Sequence, residues 1–154
     1  MELIRRFPAD VVASALQDWG WLADLSDKTP LVTSAFGDVF LQAPNGVWFL
    51  DTLEGKLTRE WADVHELQEQ LNTPGGQDRF LMAGVADDAY SAGLRPGDAQ
   101  VLSFKVLPVL GGAIDVANLE IADLDVALSL TGQIHRQVKD LPPGTPISNV
   151  SIGE

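Results

Sequence analysis

Between Phe36 and Glu60 the hydrophobic pattern breaks into three short apolar runs, in the stretch FGDVFLQAPNGVWFLDTLEGKLTRE. Its short apolar runs are separated by Pro44-Asn45-Gly46 and Leu53-Glu54-Gly55-Lys56. Asn-Gly between β-prone residues signals a hairpin, because both residues accept the positive φ of a type I′ turn. Glu54-Gly55 supplies a second reversal. The pattern predicts a three-strand antiparallel meander over Val39–Gln42, Val47–Asp51 and Lys56–Trp61. In its middle strand Val47, Phe49 and Asp51 point one way and Trp48 and Leu50 the other, so this strand is expected to be central and covered on both faces.

Helical patterns flank the meander. Pro8 to Trp19 places Val11, Val12, Ala15, Leu16 and Trp19 on one side at three- and four-residue spacing, with Pro8 in the first turn and Gly20 as the stop. Trp21 and Leu22 are expected to tuck against the sheet, and Leu31 to Thr33 to form a short edge strand. Asp63 and Glu66 have capping-box spacing ahead of a helix to Leu71, with Val64, Leu67 and Leu71 as its stripe. Gln77 to Gly93 predicts one or two short helices broken near Gly84, burying Phe80, Leu81, Val85, Ala89 and Leu94. A turn at Arg95-Pro96-Gly97-Asp98 leads to strands at Val101–Leu107 and Leu119–Ala122. Asp123 or Asp125 then caps a last helix to about Lys139, carrying Ala127, Leu130, Ile134 and Val138 inward. Pro142-Pro143-Gly144 ends it. The fold class is therefore α+β: one domain over residues 1–142, an antiparallel meander sheet of four to six strands packed with N-terminal and C-terminal helices. Residues 143–154 are expected to form a flexible tail.

A chain of 154 residues with 45% hydrophobic and 21% charged residues suits one domain with a proper core. It contains no cysteine, which excludes disulfides, thiol catalysis and thiolate metal sites. Arg5 and Arg6 are followed by no apolar h-region, and the weakly charged run Val106 to Ile114 is too short to cross a bilayer. A cytoplasmic location is the expectation. Ten Lys and Arg against 22 Asp and Glu give a net charge of −12. That sign repels phosphate backbones, which argues against nucleic-acid binding and is compatible with a basic protein partner.

Candidate chemistry is sparse. His65 lacks the second histidine of a zinc helix, since Glu69 stands at that position, and it reads as a solvated helix residue. His135, within Gly132-Gln133-Ile134-His135-Arg136-Gln137, lies at the border of an apolar stripe and reads as a buried or half-buried histidine bonded to backbone. A mid-helix Gly132 costs about 1 kcal/mol against Ala, which points to a packing reason. No serine sits in a nucleophile elbow, and Gly75-Gly76 and Gly111-Gly112 lack the lysine and spacing of a phosphate loop. Neither catalysis nor a cofactor nor a metal is expected. Acidic residues cluster at Asp51, Glu54, Glu60, Asp63, Glu66 and Glu69, and again at Asp115, Glu120, Asp123 and Asp125. Trp48, Trp61 and Tyr90 are candidates for partly exposed aromatics beside them.

Several phrases taken together resemble one bacterial family. SAFGDVF (34–40), WFLDTLEGKL (48–57), SFKVLPVLGG (103–112), NLEIADLDVALSLTGQIHRQVKDLP (118–142) and ALQDWGWL (15–22) are similar to type VI secretion immunity proteins that neutralise DNase effectors. The family's C-terminal immunity domain often follows a GAD-like segment. The resemblance runs from about Phe7 to Pro142, with FGD, LD-x-x-x-G, K-x-x-P-x-L-G-G and GQIHxQ in that order. It implies a small, non-enzymatic cytoplasmic protein that binds a cognate toxin, a nuclease, and occludes it. Trp48, Asp51, Glu54, Glu60, Asp115 and Glu120 are the candidate contacts with that basic partner. Two other readings stand beside it. One is a small-ligand sensor or minor enzyme with a pocket near Lys105, Gly111, Gly112, Gln133 and His135. The other is an adaptor that has kept the fold and lost the toxin.

Overall fold

The computed structural model describes residues 2–141, so the expected tail at 143–154 lies outside the described residues. Five strands form one antiparallel sheet in the order β1 (Ile4–Arg5), β2 (Thr29–Ser34), β3 (Val39–Ala43), β4 (Gly46–Asp51), β5 (Lys56–Trp61). The last three are the meander. A separate two-stranded ribbon pairs β6 (Gln100–Phe104) with β7 (Leu119–Asp123). Five α-helices lie among the described residues: α1 (Ala9–Ala15), α2 (Val64–Leu71), α3 (Pro74–Leu81), α4 (Ala83–Ser91) and α5 (Leu124–Val138). The class is α+β, with helices packed on the sheet.

Period-two alternation divides the sheet between two cores. Val39, Leu41 and Leu50 pack with Val12, Ala15, Leu16 and Trp19 of the N-terminal helical segment and with Leu124, Ala127 and Leu128 of α5. Phe40, Val47, Phe49 and Trp61 point the other way, onto Leu67 and Leu71 of α2 and Phe80 and Leu81 of α3. There the Trp61 and Phe80 rings meet at 4.8 Å, edge to face. That geometry suits the ring quadrupoles. Strand β4 feeds both cores, as its sequence predicts. A third cluster joins Ala86 and Ala89 of α4 to Leu102, Phe104, Leu119 and Ile134.

Several boundaries differ from expectation for identifiable reasons. Strand β2 is not at the edge, because Ile4 and Arg5 pair with Ser34 and Thr33. Helix α3 begins at Pro74 rather than Gln77: the Thr73 hydroxyl accepts from the Gly76 N–H at 3.0 Å and Pro74 occupies the first turn. The break before α4 falls at Met82, whose φ of +47° is left-handed, and not near Gly84. Strand β6 ends at Phe104, which leaves Lys105 outside it. Val11, expected inward, is 40% exposed, and Trp61, a candidate exposed aromatic, is only 2% exposed. Trp21 packs against the core that Val39, Leu41 and Leu50 of the sheet help to form, and it also reaches α5, donating to the Gly132 carbonyl at 3.2 Å.

The Asp63 cap forms as its spacing predicts. Its side chain accepts from Glu66 N–H at 2.9 Å, while the Glu66 carboxylate returns to the Ala62 N–H at 3.0 Å. Gly132 has its packing reason as well. A Cβ there would stand 2.7 Å from the Asp18 carbonyl oxygen, so α5 can lie against the 3-10 turn Gln17–Trp19 only without a side chain. Trp19 crosses the same gap, donating to the Leu128 carbonyl at 2.9 Å.

Candidate functional site

The turn between β4 and β5 is built from three layers of hydrogen bonds. The outermost is local: Asp51 Oδ1 accepts from the N–H groups of Leu53 and Glu54 at 2.9 and 3.1 Å, and its carbonyl accepts from Gly55 at 2.8 Å. Aspartate suits this place because its short carboxylate can cap its own turn. Gly55 is required twice. Its φ is +72°, and a Cβ would fall 2.4 Å from His135 Nδ1.

The second layer is His135 itself. It is 5% exposed, and its Nε2 donates to the Thr52 carbonyl at 2.8 Å. The sequence reading of a buried histidine bonded to backbone holds. Burial holds its pKa below the ordinary histidine value, against the opposing pull of Asp51 and Glu54. The ring therefore acts as a neutral donor that fastens the turn to α5.

The third layer was not singled out as chemistry by sequence reasoning. Asp38 is buried, and its Oδ1 accepts from the Thr52 N–H at 2.9 Å and the Thr52 hydroxyl at 2.6 Å. Its Oδ2 accepts from the Ser34 hydroxyl at 2.9 Å, and Ser34 Oγ in turn accepts from the N–H groups of Phe36 and Asp38. Burial pushes the Asp38 carboxyl up to about 6 despite these donors. The signal was the FGD phrase: a carboxylate immediately before the apolar strand β3, just after a glycine whose φ is +89°. Thr52 is the hub, joined to Asp38 through N–H and hydroxyl and to His135 through its carbonyl.

Asp38, Thr52, Ser103, Thr131 and His135 contribute to the lining of a mostly apolar cavity of about 20 Å³. That volume holds about one water and no metabolite. Lys105 and Gly111 are exposed and lie outside this lining, as does Gly112. Gln133 turns to a different groove with Asp18, Trp21 and Arg136. The expected grouping of these residues with His135 is therefore not assembled in one pocket. Among the described residues no three His, Asp or Glu side chains gather as a metal site.

The candidate contact residues are dispersed over several elements. Asp51 and Glu54 share the clamped turn, where Glu54 is exposed and Asp51 half-buried, its pKa raised by that burial. Glu60 pairs with Arg79 at 3.6 Å and accepts from the Thr58 hydroxyl. Asp115 caps the short helical turn Val116–Asn118, and Glu120 is exposed on β7 opposite Ser103. Trp48 has cationic rather than acidic company. The Lys28 ammonium lies 4.0 Å from its ring centroid, and Arg59 stands opposite it in the ladder.

Residues 62–135 match the family described as T6SS immunity protein Tdi1, C-terminal. No curated protein matches the chain. Among solved structures, the crystal structure of Atu4351 from Agrobacterium tumefaciens is similar at 19% identity, covering 95% of this chain and 72% of that one, with a TM-score of 0.48. No helix among the described residues is long and apolar enough to cross a membrane. The matched segment runs from just before the Asp63 cap to His135, the residue that holds the acidic turn, and over it the chain is similar to a type VI secretion immunity protein family.

Proposed function

We propose that this protein neutralises a toxin delivered by type VI secretion by binding it, without catalysis, in the cytoplasm of the cell it protects. The toxin is a nuclease with a basic, phosphate-gripping cleft. The observation that carries this reading is the clamped turn, which holds the exposed Glu54 carboxylate on a chain of net charge −12. A rigid acidic projection loses little conformational freedom on docking, so more of its interaction energy appears as affinity. The net charge steers the encounter, and the turn then occupies the cleft where DNA phosphates would lie. Glu120 and Asp115, on and beside β7, are the secondary contacts. Trp48 and Glu60 serve at the rim of that contact, each already engaged with a cation of its own chain.

The test is inhibition of the nuclease encoded in the same secretion locus. Stoichiometric loss of DNA cleavage on adding this protein, relieved by raised salt, is the expected result. Undiminished cleavage at a tenfold excess of this protein contradicts the reading.

A further inference from the structure

Two of the ten cationic side chains of this acidic chain meet at one cavity of about 210 Å³. It lies between β1, α4 and the segment before β6, away from the clamped turn. Arg5 and Arg95 line it, together with Glu2, Tyr90 and the apolar side chains of Leu94 and Leu102. Arg5 is only 9% exposed. A buried guanidinium needs a well-placed counter-charge. Its carboxylate partner is Glu2, which it meets directly at a long 3.4 Å and whose side chain is 75% exposed and so largely hydrated. Its second acceptor among the described residues is the Gly97 carbonyl, which is neutral and fixes the orientation of the guanidinium. Arg95 is exposed and stacks on Tyr90 with its guanidinium 4.2 Å from the ring centroid, which holds a second planar cation at the same cavity.

We propose that this cavity binds a small monocarboxylate with a compact apolar body, of the size and shape of benzoate. The carboxylate is taken by Arg5 and Arg95, since guanidinium donors match a carboxylate fork. The apolar body lies against Leu94 and Leu102. The size class follows from the volume, which is below the roughly 300 Å³ at which pockets begin to suit drug-sized ligands. Glu2 is the internal competitor: its carboxylate approaches Arg5 from within the chain and leaves for water when the ligand enters. This site is independent of the toxin reading and does not require it.

The test is a titration of the full chain with benzoate and with benzamide, followed by two-dimensional amide NMR. Benzoate is expected to bind saturably, with shifts concentrated at residues 86–102. Benzamide has the same shape without the charge and should bind at least about tenfold more weakly, the loss of one charge-assisted pair. Replacing Arg5 would also release Gly97, so the informative variants are on exposed residues. Arg95→Gln should weaken benzoate about tenfold. Glu2→Gln removes the internal competitor and should tighten it. Equal affinity for benzoate and benzamide overturns the proposal, as do shifts that do not saturate, or an Arg95→Gln variant that binds benzoate as the wild type does.

Discussion

The meander has two turns that carry similar sequence signals, Pro44-Asn45-Gly46 and Leu53-Glu54-Gly55, and they stand on different foundations. At the first, Asn45 accepts from Trp48 Nε1 at 3.0 Å through its side chain and from Arg59 Nε at 2.6 Å through its carbonyl. Every partner comes from the same hairpin, the site is exposed, and the neighbouring charges are cationic. At the second, Thr52 reaches the residue just before β3 through Asp38 and α5 through His135. Two turns of like sequence thus differ in whether a distant helix stands behind them. Only the second can hold a charged residue in a fixed place for a partner.

This contrast predicts unequal responses to substitution. His135→Ala removes a buried ring and leaves the Thr52 carbonyl unpaired, and should cost about 3–4 kcal/mol in urea unfolding. A loss under about 1 kcal/mol would show that α5 does not hold the turn.

The pH dependence sharpens the comparison, because the buried groups push in opposite directions. Asp38 titrates near 6 when folded and near 3.8 when unfolded, so the folded state holds the extra proton between those values. Its contribution to stability is therefore full at low pH and declines as pH rises through about 6. His135 is shifted downward, so its contribution is lost as pH falls below its unfolded value of 6.5. Asp38→Asn removes the first effect and keeps the second. The stability of this variant relative to wild type should climb between pH 4 and 6, by an amount on the order of 2–3 kcal/mol. A difference that stays flat with pH would show that Asp38 carries no raised pKa.

Smaller effects follow at the hub and at the first turn. Thr52→Val keeps the shape and removes the hydroxyl donor to Asp38, for a loss of about 1–2 kcal/mol. Asn45→Ala, at the locally built turn, should cost less than about 1 kcal/mol. If the two losses were equal, the distinction between the turns would fail.

The local features were legible in the sequence because each depends on near neighbours. The meander strands follow from their apolar runs, although Asn45 lacks the positive φ of a type I′ turn and only Gly46 has one. The Asp63 cap and the glycine at 132 follow from capping spacing and helix propensity. Less legible was whatever depends on distant partners. Nothing near Asp38 in the chain says that Thr52, fourteen residues on, supplies two of its three donors. The position of Trp48 beneath Lys28 depends on where the segment before β2 crosses the sheet, which no periodicity encodes. The early break at Met82 also escaped, because methionine carries no signal for a left-handed backbone.

The sequence points to Asp51, Glu54 and Glu60 together as steering charges, and the structure separates them. Asp51 holds the turn through its side chain and Glu60 is paired with Arg79, so reversing either also changes the fold or frees a cation. Glu54 makes no ion pair among the described residues, and its side chain holds nothing in place. The most direct measurement is the association rate of wild type and Glu54→Lys with the toxin of the same secretion locus, by stopped flow at low and at physiological salt. The account predicts unchanged unfolding stability, association slowed roughly three- to tenfold at low salt, and a smaller difference at higher salt. Equal association rates at both salt concentrations would contradict the claim that the clamped turn meets the partner.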